Sequence, residues 1–273
     1  MSAHPTDHAD RFRSLHQPGS PLLLPNPWDP GSARLLAHLG FAALATTSSG
    51  HATSLGRQDG AVTRDEALSH AAEVVAATDL PVSADLENGF ADDPAAVAGT
   101  ARLAARAGLA GFSIEDYTGN PENPVYAADL AAERIAAAAD EAHSGPSRLV
   151  LTARAENHLR GGAGLDDTIA RLRSYQEAGA DVLYAPGLTS RDDIVRLVAA
   201  VDRPVNVLAV PGAPSVPELA GLGVARVSVG GAFASAALGA LAQAGRELLE
   251  RGTYEYWEAA EIGAAAARSA FSP

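Results

Sequence analysis

Cysteine is absent from this chain of 273 residues, and so is lysine. Without cysteine there is neither a disulfide framework nor a thiol nucleophile. Without lysine, Schiff-base and lysine-base chemistry are excluded, and every basic side chain other than histidine is arginine. The Ala and Gly richness around those arginines reflects a GC-rich coding sequence more than a function. No apolar run approaches 18 residues, so no transmembrane helix is expected. Met1 to Pro21 is polar and histidine-bearing, without the apolar core of a signal peptide, and a cytoplasmic protein without membrane attachment is the expectation. The net charge of −13 argues against a nucleic-acid partner.

What is present is an alternation. Strand-like apolar runs fall at 22–24, 42–45, 82–86, 111–115, 149–153, 182–185, 205–210 and 226–229. Stretches with helical spacing lie between them at 64–77, 94–107, 127–142, 166–178, 191–201 and 217–222. Ala-Gly ends a helix just before a strand in "AGLAGFSI" and "AGADVLYA". Pro enters a strand in "DLPVSA" and "DRPVNV". Thr63 and Ser190 stand where N-caps are wanted, with acids following. Eight βα repeats predict an α/β fold of the (β/α)8 TIM-barrel type, a single domain over 1–273. Residues 1–20 read as a polar arm and about 252–273 as an extra C-terminal helix, which packs either on its own barrel or on a neighbouring subunit. An open doubly wound sheet is the rival, but no G-x-G-x-x-G follows Leu24.

In such a barrel the chemistry sits at the C-terminal strand ends. There the third run delivers Asp85 and Glu87, two apart and therefore on one side of a strand. The fourth delivers Glu115, and the fifth Arg154 and Glu156; the sixth ends near Tyr184. Asp85, Glu87 and Glu115 would suit a hard cation such as Mg²⁺, unless they merely cap and solvate loops. Ser48-Ser49-Gly50, followed by His51, is either a plain turn or a binder of carboxylate or phosphonate. Arg154 either clamps a substrate carboxylate or pairs with Glu156 and Glu115. The loop 119–125 (GNPENPV) is either a lid or an ordinary connection. The Gly-rich 160–164 reads as a flexible link.

The ordered set Ser48-Ser49-Gly50, Leu55-Gly56-Arg57-Gln58-Asp59, Ser83-Ala84-Asp85-Leu86-Glu87-Asn88-Gly89, Ser113-Ile114-Glu115-Asp116, Ala153-Arg154-Ala155-Glu156 and Val227-Ser228-Val229-Gly230-Gly231 resembles the isocitrate lyase / phosphoenolpyruvate mutase superfamily. The resemblance implies a barrel with Mg²⁺ (or Mn²⁺), held directly by Asp85 and through water by Glu87 and Glu115. It implies that Ser49 and Gly50 hold a substrate carboxylate or phosphonate, that Arg154 contacts substrate, and that Asp59 sits in a gating segment. It also implies a homotetramer that exchanges C-terminal helices. The implied chemistry breaks or forms a C–C or P–C bond next to a carbonyl, through an enolate. The family's Lys-Lys-Cys-Gly-His loop is replaced here by 117–124, which argues against isocitrate and methylisocitrate lyase activity. The missing Lys argues against the mutase, although Asn120 or Asn123 matches its lid Asn. A lyase of small 2-oxo or 2-hydroxy carboxylates is therefore expected, with Arg154, Glu156 and Asp59 as catalytic candidates. P–C chemistry of the phosphonopyruvate hydrolase or mutase kind and a catalytically silent binding barrel are the alternatives.

Overall fold

The computed structural model describes residues 5–160 and 164–272. Residues 1–4 of the expected arm and 161–163 of the Gly-rich link lie outside the described residues. Eight parallel strands follow one another around the fold: β1 (Leu22–Leu24), β2 (Leu44–Ala45), β3 (Val82–Asp85), β4 (Gly111–Glu115), β5 (Val150–Arg154), β6 (Val182–Tyr184), β7 (Val205–Leu208) and β8 (Arg226–Ser228). Their hydrogen-bonded order is β1-β8-β7-β6-β5-β4-β3-β2. The seam between β1 and β2 is joined by a bond from the Ala45 amide to the Pro25 carbonyl at 3.0 Å. Asn26 strengthens it, because its Nδ2 donates to the Thr46 carbonyl while its Oδ1 accepts from the Val229 and Gly230 amides. The expected (β/α)8 barrel is thus nearly closed.

Helices α4 (Arg64–Ala76), α5 (Pro94–Arg106), α6 (Ala128–Ser144), α7 (Leu165–Glu177), α8 (Arg191–Ala200) and α9 (Val216–Gly221) match the periodic stretches to within about two residues. Their starts follow capping chemistry: Thr63 and Glu66 form a reciprocal capping box on α4, and Ser190 caps α8. Three further helices come from segments without a clear helical period. α1 (Pro5–Ser14) lies within the expected polar arm, and its Phe12 is fully buried with Leu22, Ala43, Ala110, Val150 and Val182 at the N-terminal strand ends. α2 (Pro30–His38) starts at an Asp29/Ser32 capping box, and α3 (Ser48–Ser54) begins with the Ser-Ser-Gly segment.

After β8 come the eighth barrel helix, α10 (Ala232–Glu250), and, past a break at 251–256, α11 (Trp257–Phe271), the extra helix expected at about 252–273. Only Ala234 and Glu247 of α10 are buried, and none of the α11 residues is. α10 touches α3, and α11 lies along α2, where Ser269 and His38 share a hydrogen bond. Among the described residues no helix is long and apolar enough to cross a membrane.

Candidate active site

Strand register brings the polar ends together. Asp85 lies beside Ser113, Glu115 beside Arg154, and Arg154 beside Tyr184. Asp85 is tied to α3: its Oδ2 accepts from the Ser48 amide at 3.2 Å and the Ser48 hydroxyl at 2.9 Å. Its own amide donates to Thr46 Oγ1 at 3.0 Å, and its Oδ1 accepts from the Glu87 amide at 3.3 Å. The chain then turns sharply, with Glu87 at φ 48° and Phe90 at φ 59°. Both lie in the left-handed region that L-residues occupy only when the surroundings enforce it. Arg134, buried beneath the turn, enforces it by donating to the Asn88, Ala91 and Glu115 carbonyls, with its guanidinium on the Tyr126 ring.

Arg154 carries the site's cation. It pairs with Glu115 at 3.2 Å and, more closely, with Glu156. Burial opposes the charge, but Glu115 and Glu156 outweigh it and hold the guanidinium ionised. Glu156 is fully buried and also takes Arg160 at 3.1 Å, so it stands behind Arg154 as its anchor. Asp116 fixes that anchor: its Oδ1 accepts from the Glu156 amide at 2.7 Å, while its Oδ2 accepts from Arg171 and Tyr175. The sequence reading passed over Asp116 as a site residue, and its position directly after Glu115 was the available signal.

The acids repel one another. Burial, then Asp85 and Asp59, push the Glu87 carboxyl up to about 7, against the pull of Arg154. Burial pushes Glu115 up as well; Arg154 opposes it, and Glu156, Asp85 and Glu87 add to it. Among the described residues no three carboxylates or imidazoles form a ready-made metal cage. Mg²⁺ does not require one, since it keeps several waters and takes one or two carboxylates directly. The donors are all oxygens, and two of the acids hold raised proton affinities that a cation would relieve. The donor set therefore fits a hard divalent ion.

The remaining candidates surround this centre. Asp59 lines a cavity of about 300 Å³ with Glu87, Glu115 and Tyr117. His51 lines a small recess with Ser48, Asp85 and Glu87, stacked on His70 with centroids 3.8 Å apart. Its Nδ1 is buried without a partner. Gly50 is packed so tightly that a Cβ would meet Thr47 Cγ2 at 2.5 Å. In the 117–125 loop, Asn120 Oδ1 accepts from the Glu122 amide and the Asn123 carbonyl accepts from Thr118, so both asparagines shape the loop itself. Arg160 stacks on Tyr117 at its base, 3.8 Å from the ring centroid.

Fold and mouth together define a TIM-barrel enzyme with an acid-rich, arginine-bearing site. The chain belongs to the phosphoenolpyruvate phosphomutase family, whose model matches residues 12–249, within the isocitrate lyase / phosphoenolpyruvate mutase superfamily of lyases and mutases. An uncharacterized protein of Mycobacterium tuberculosis is 38% identical over 237 residues, covering 86% of this chain and 87% of its own. A probable 2-methylisocitrate lyase of Corynebacterium glutamicum is 30% identical over 74% of this chain and 66% of its own. Among solved structures, a putative lyase/mutase from Burkholderia cenocepacia superposes with a TM-score of 0.94 at 54% identity, over 98% of this chain and 97% of its own. An oxaloacetate acetylhydrolase in complex with its product oxalate reaches 0.83 at 27%, over 92% and 90%.

Proposed function

We propose that this protein is a Mg²⁺-dependent lyase that cleaves or forms the C–C bond next to the carbonyl of a small 2-oxo or 2-hydroxy carboxylate, through an enolate. The observation that carries this reading is the ionised Arg154, held by Glu115 and Glu156 beside Asp85 at the barrel mouth. Asp85 would hold Mg²⁺ (or Mn²⁺) directly, with Glu87 and Glu115 acting through water. When bound, the ion supplies Lewis-acid countercharge to the oxyanion that develops on the carbonyl. Arg154 binds the substrate carboxylate and adds fixed positive charge at the same place. Ser48, Ser49, Gly50 and His51 complete the wall on the α3 side. Asp59 lines the outer cavity, and Asn120 and Asn123 would reach substrate only from the 117–125 loop, whose closure would exclude water. Glu156 keeps Arg154 aimed. Relatives named 2-methylisocitrate lyase, 2,3-dimethylmalate lyase and oxaloacetate acetylhydrolase support C–C chemistry on small carboxylates.

The assay is turnover of oxaloacetate and 2-alkylmalates with Mg²⁺. Asp85→Ala is expected to abolish turnover and the rise in melting temperature caused by Mg²⁺; retention of both overturns the assignment. Release of phosphate or phosphoenolpyruvate from phosphonopyruvate would replace it with P–C chemistry. Calorimetry that detects no binding of Mg²⁺ with oxalate would leave a silent barrel.

A further inference from the structure

Below the carboxylates the barrel interior is polar, where barrels of this type are usually filled by branched aliphatic side chains. A cavity of about 60 Å³ runs from Asp85 and Arg154 down to Arg226. That is room for a few waters, a halide or a carboxylate group. Arg226 is buried, 4% exposed. Its Nε donates to Asn206 Oδ1 at 2.9 Å, and its Nη1 lies 3.3 Å from His16 Nε2. His16 Nδ1 is 2.8 Å from the Phe12 carbonyl, which assigns the proton to Nδ1 and leaves Nε2 to accept. Neither partner is an anion, and among the described residues no carboxylate forms an ion pair with Arg226. The other buried arginines are satisfied differently. Arg154 and Arg171 have carboxylates, and Arg134 is spread over three carbonyls and a ring. A guanidinium buried without a counter-charge is costly.

The surrounding hydrogen bonds leave protons pointing into the same space. Asn206 Nδ2 donates to Ser228 Oγ at 3.0 Å. Tyr184 lines the same cavity, where its O–H can donate. Thr152 Oγ1, on a residue 1% exposed, has no partner at all. Both residues line the cavity with Arg226. A cation and two hydroxyls thus face one small volume, whose only carboxylate, Asp85, lines it at the mouth beside Arg154.

We propose that this barrel floor is an anion site in which Arg226, Thr152 and Tyr184 hold a halide or a carboxylate group. The site stands independently of the lyase reading; only its occupation by the distal carboxylate of a substrate rests on that reading.

Crystals soaked in sodium bromide are expected to show an anomalous peak beside Arg226. Bromide is expected to raise the melting temperature relative to a bulky sulfonate at equal ionic strength. Arg226→Met should lose both responses and, in halide-free buffer, melt no lower than the parent. Thr152→Val and Tyr184→Phe keep the charge and should each weaken bromide binding several-fold, a check that holds if Arg226→Met fails to fold. Competition separates the two sources. If a substrate carboxylate is the occupant, bromide weakens malate binding at least tenfold and leaves oxalate binding unchanged. If a free halide is resident, neither changes. Asp85→Ala should keep the bromide peak, so failure of the metal assignment is read separately. No anomalous peak, together with a bulky sulfonate matching bromide in the melting assay, overturns the site in favour of water.

Discussion

Glu87 bears two costs at once: a left-handed backbone at φ 48° and a carboxyl raised to about 7 by burial, Asp85 and Asp59. The backbone alone costs a non-glycine residue about 1 kcal/mol, and asparagine tolerates it better. Glu87→Asn should therefore unfold in urea at no lower a midpoint than the parent without Mg²⁺, while the Mg²⁺-induced rise in melting temperature shrinks. His16 makes an opposite kind of demand. Burial, with Arg226 behind it, lowers the imidazole from its ordinary 6.5 to about 3. The unfolded chain then binds a proton that the folded chain refuses throughout that window. Stability rises with pH across it and is lost as pH falls below about 6.5, by up to about 1.4 kcal/mol per pH unit. His70, lowered by burial to about 4, adds the same sign. The raised Glu87 and Glu115 carboxyls act with the opposite sign over the same window, so the histidine effect is read as a difference: the urea midpoint of His16→Gln relative to the parent should rise as pH falls from 7 to 5.

At the scale of elements, Phe12 is the large apolar anchor of α1, beside the smaller Ala9. Phe12 is fully buried, and a Cβ on Gly111 would come within 3.0 Å of its ring, so glycine there makes room for it. Phe12→Ala should destabilise by about 3–5 kcal/mol in denaturant titration, the usual cost of emptying such a site. The eight strands and six of the helices were legible in the sequence because Pro and Gly punctuate runs of the right period. α3 was not, because Ser48–Ser54 is poor in helix formers; it forms where Thr47 caps it and Ser48 is tied to Asp85. The break between α10 and α11 falls where the extra helix was expected to begin, at about 252. There Gly252 takes φ 62°, and the Glu247 carboxylate accepts from Thr253, Glu255 and Tyr256. The mouth acids were legible because strand-end carboxylates have few structural uses. Arg226 and His16 were not, since they are 210 positions apart and only barrel closure joins them.

On the scale of the whole molecule, the eighth helix is out of place. α10 leaves Leu238, Leu241, Leu248 and Leu249 exposed, and Trp257 and Ile262 of α11 are exposed beyond them. Large apolar side chains exposed together are the kind of surface that proteins use for association, and the homotetramer with exchanged helices is the expectation to test. Leu241→Glu combined with Leu249→Glu should lower the mass measured by light scattering to that of a single chain. The opposite end of the barrel has another consequence. Phe12 is buried among the N-terminal strand ends, so access to Asp85 is expected from the mouth alone, with an inner ligand held behind an outer one. On the proposed reaction the two fragments of a cleavage would then depart in a fixed sequence, outer before inner. In initial-rate measurements the inner fragment should inhibit competitively and the outer one noncompetitively, so a side chain 73 positions from Asp85 sets the order of traffic through the site.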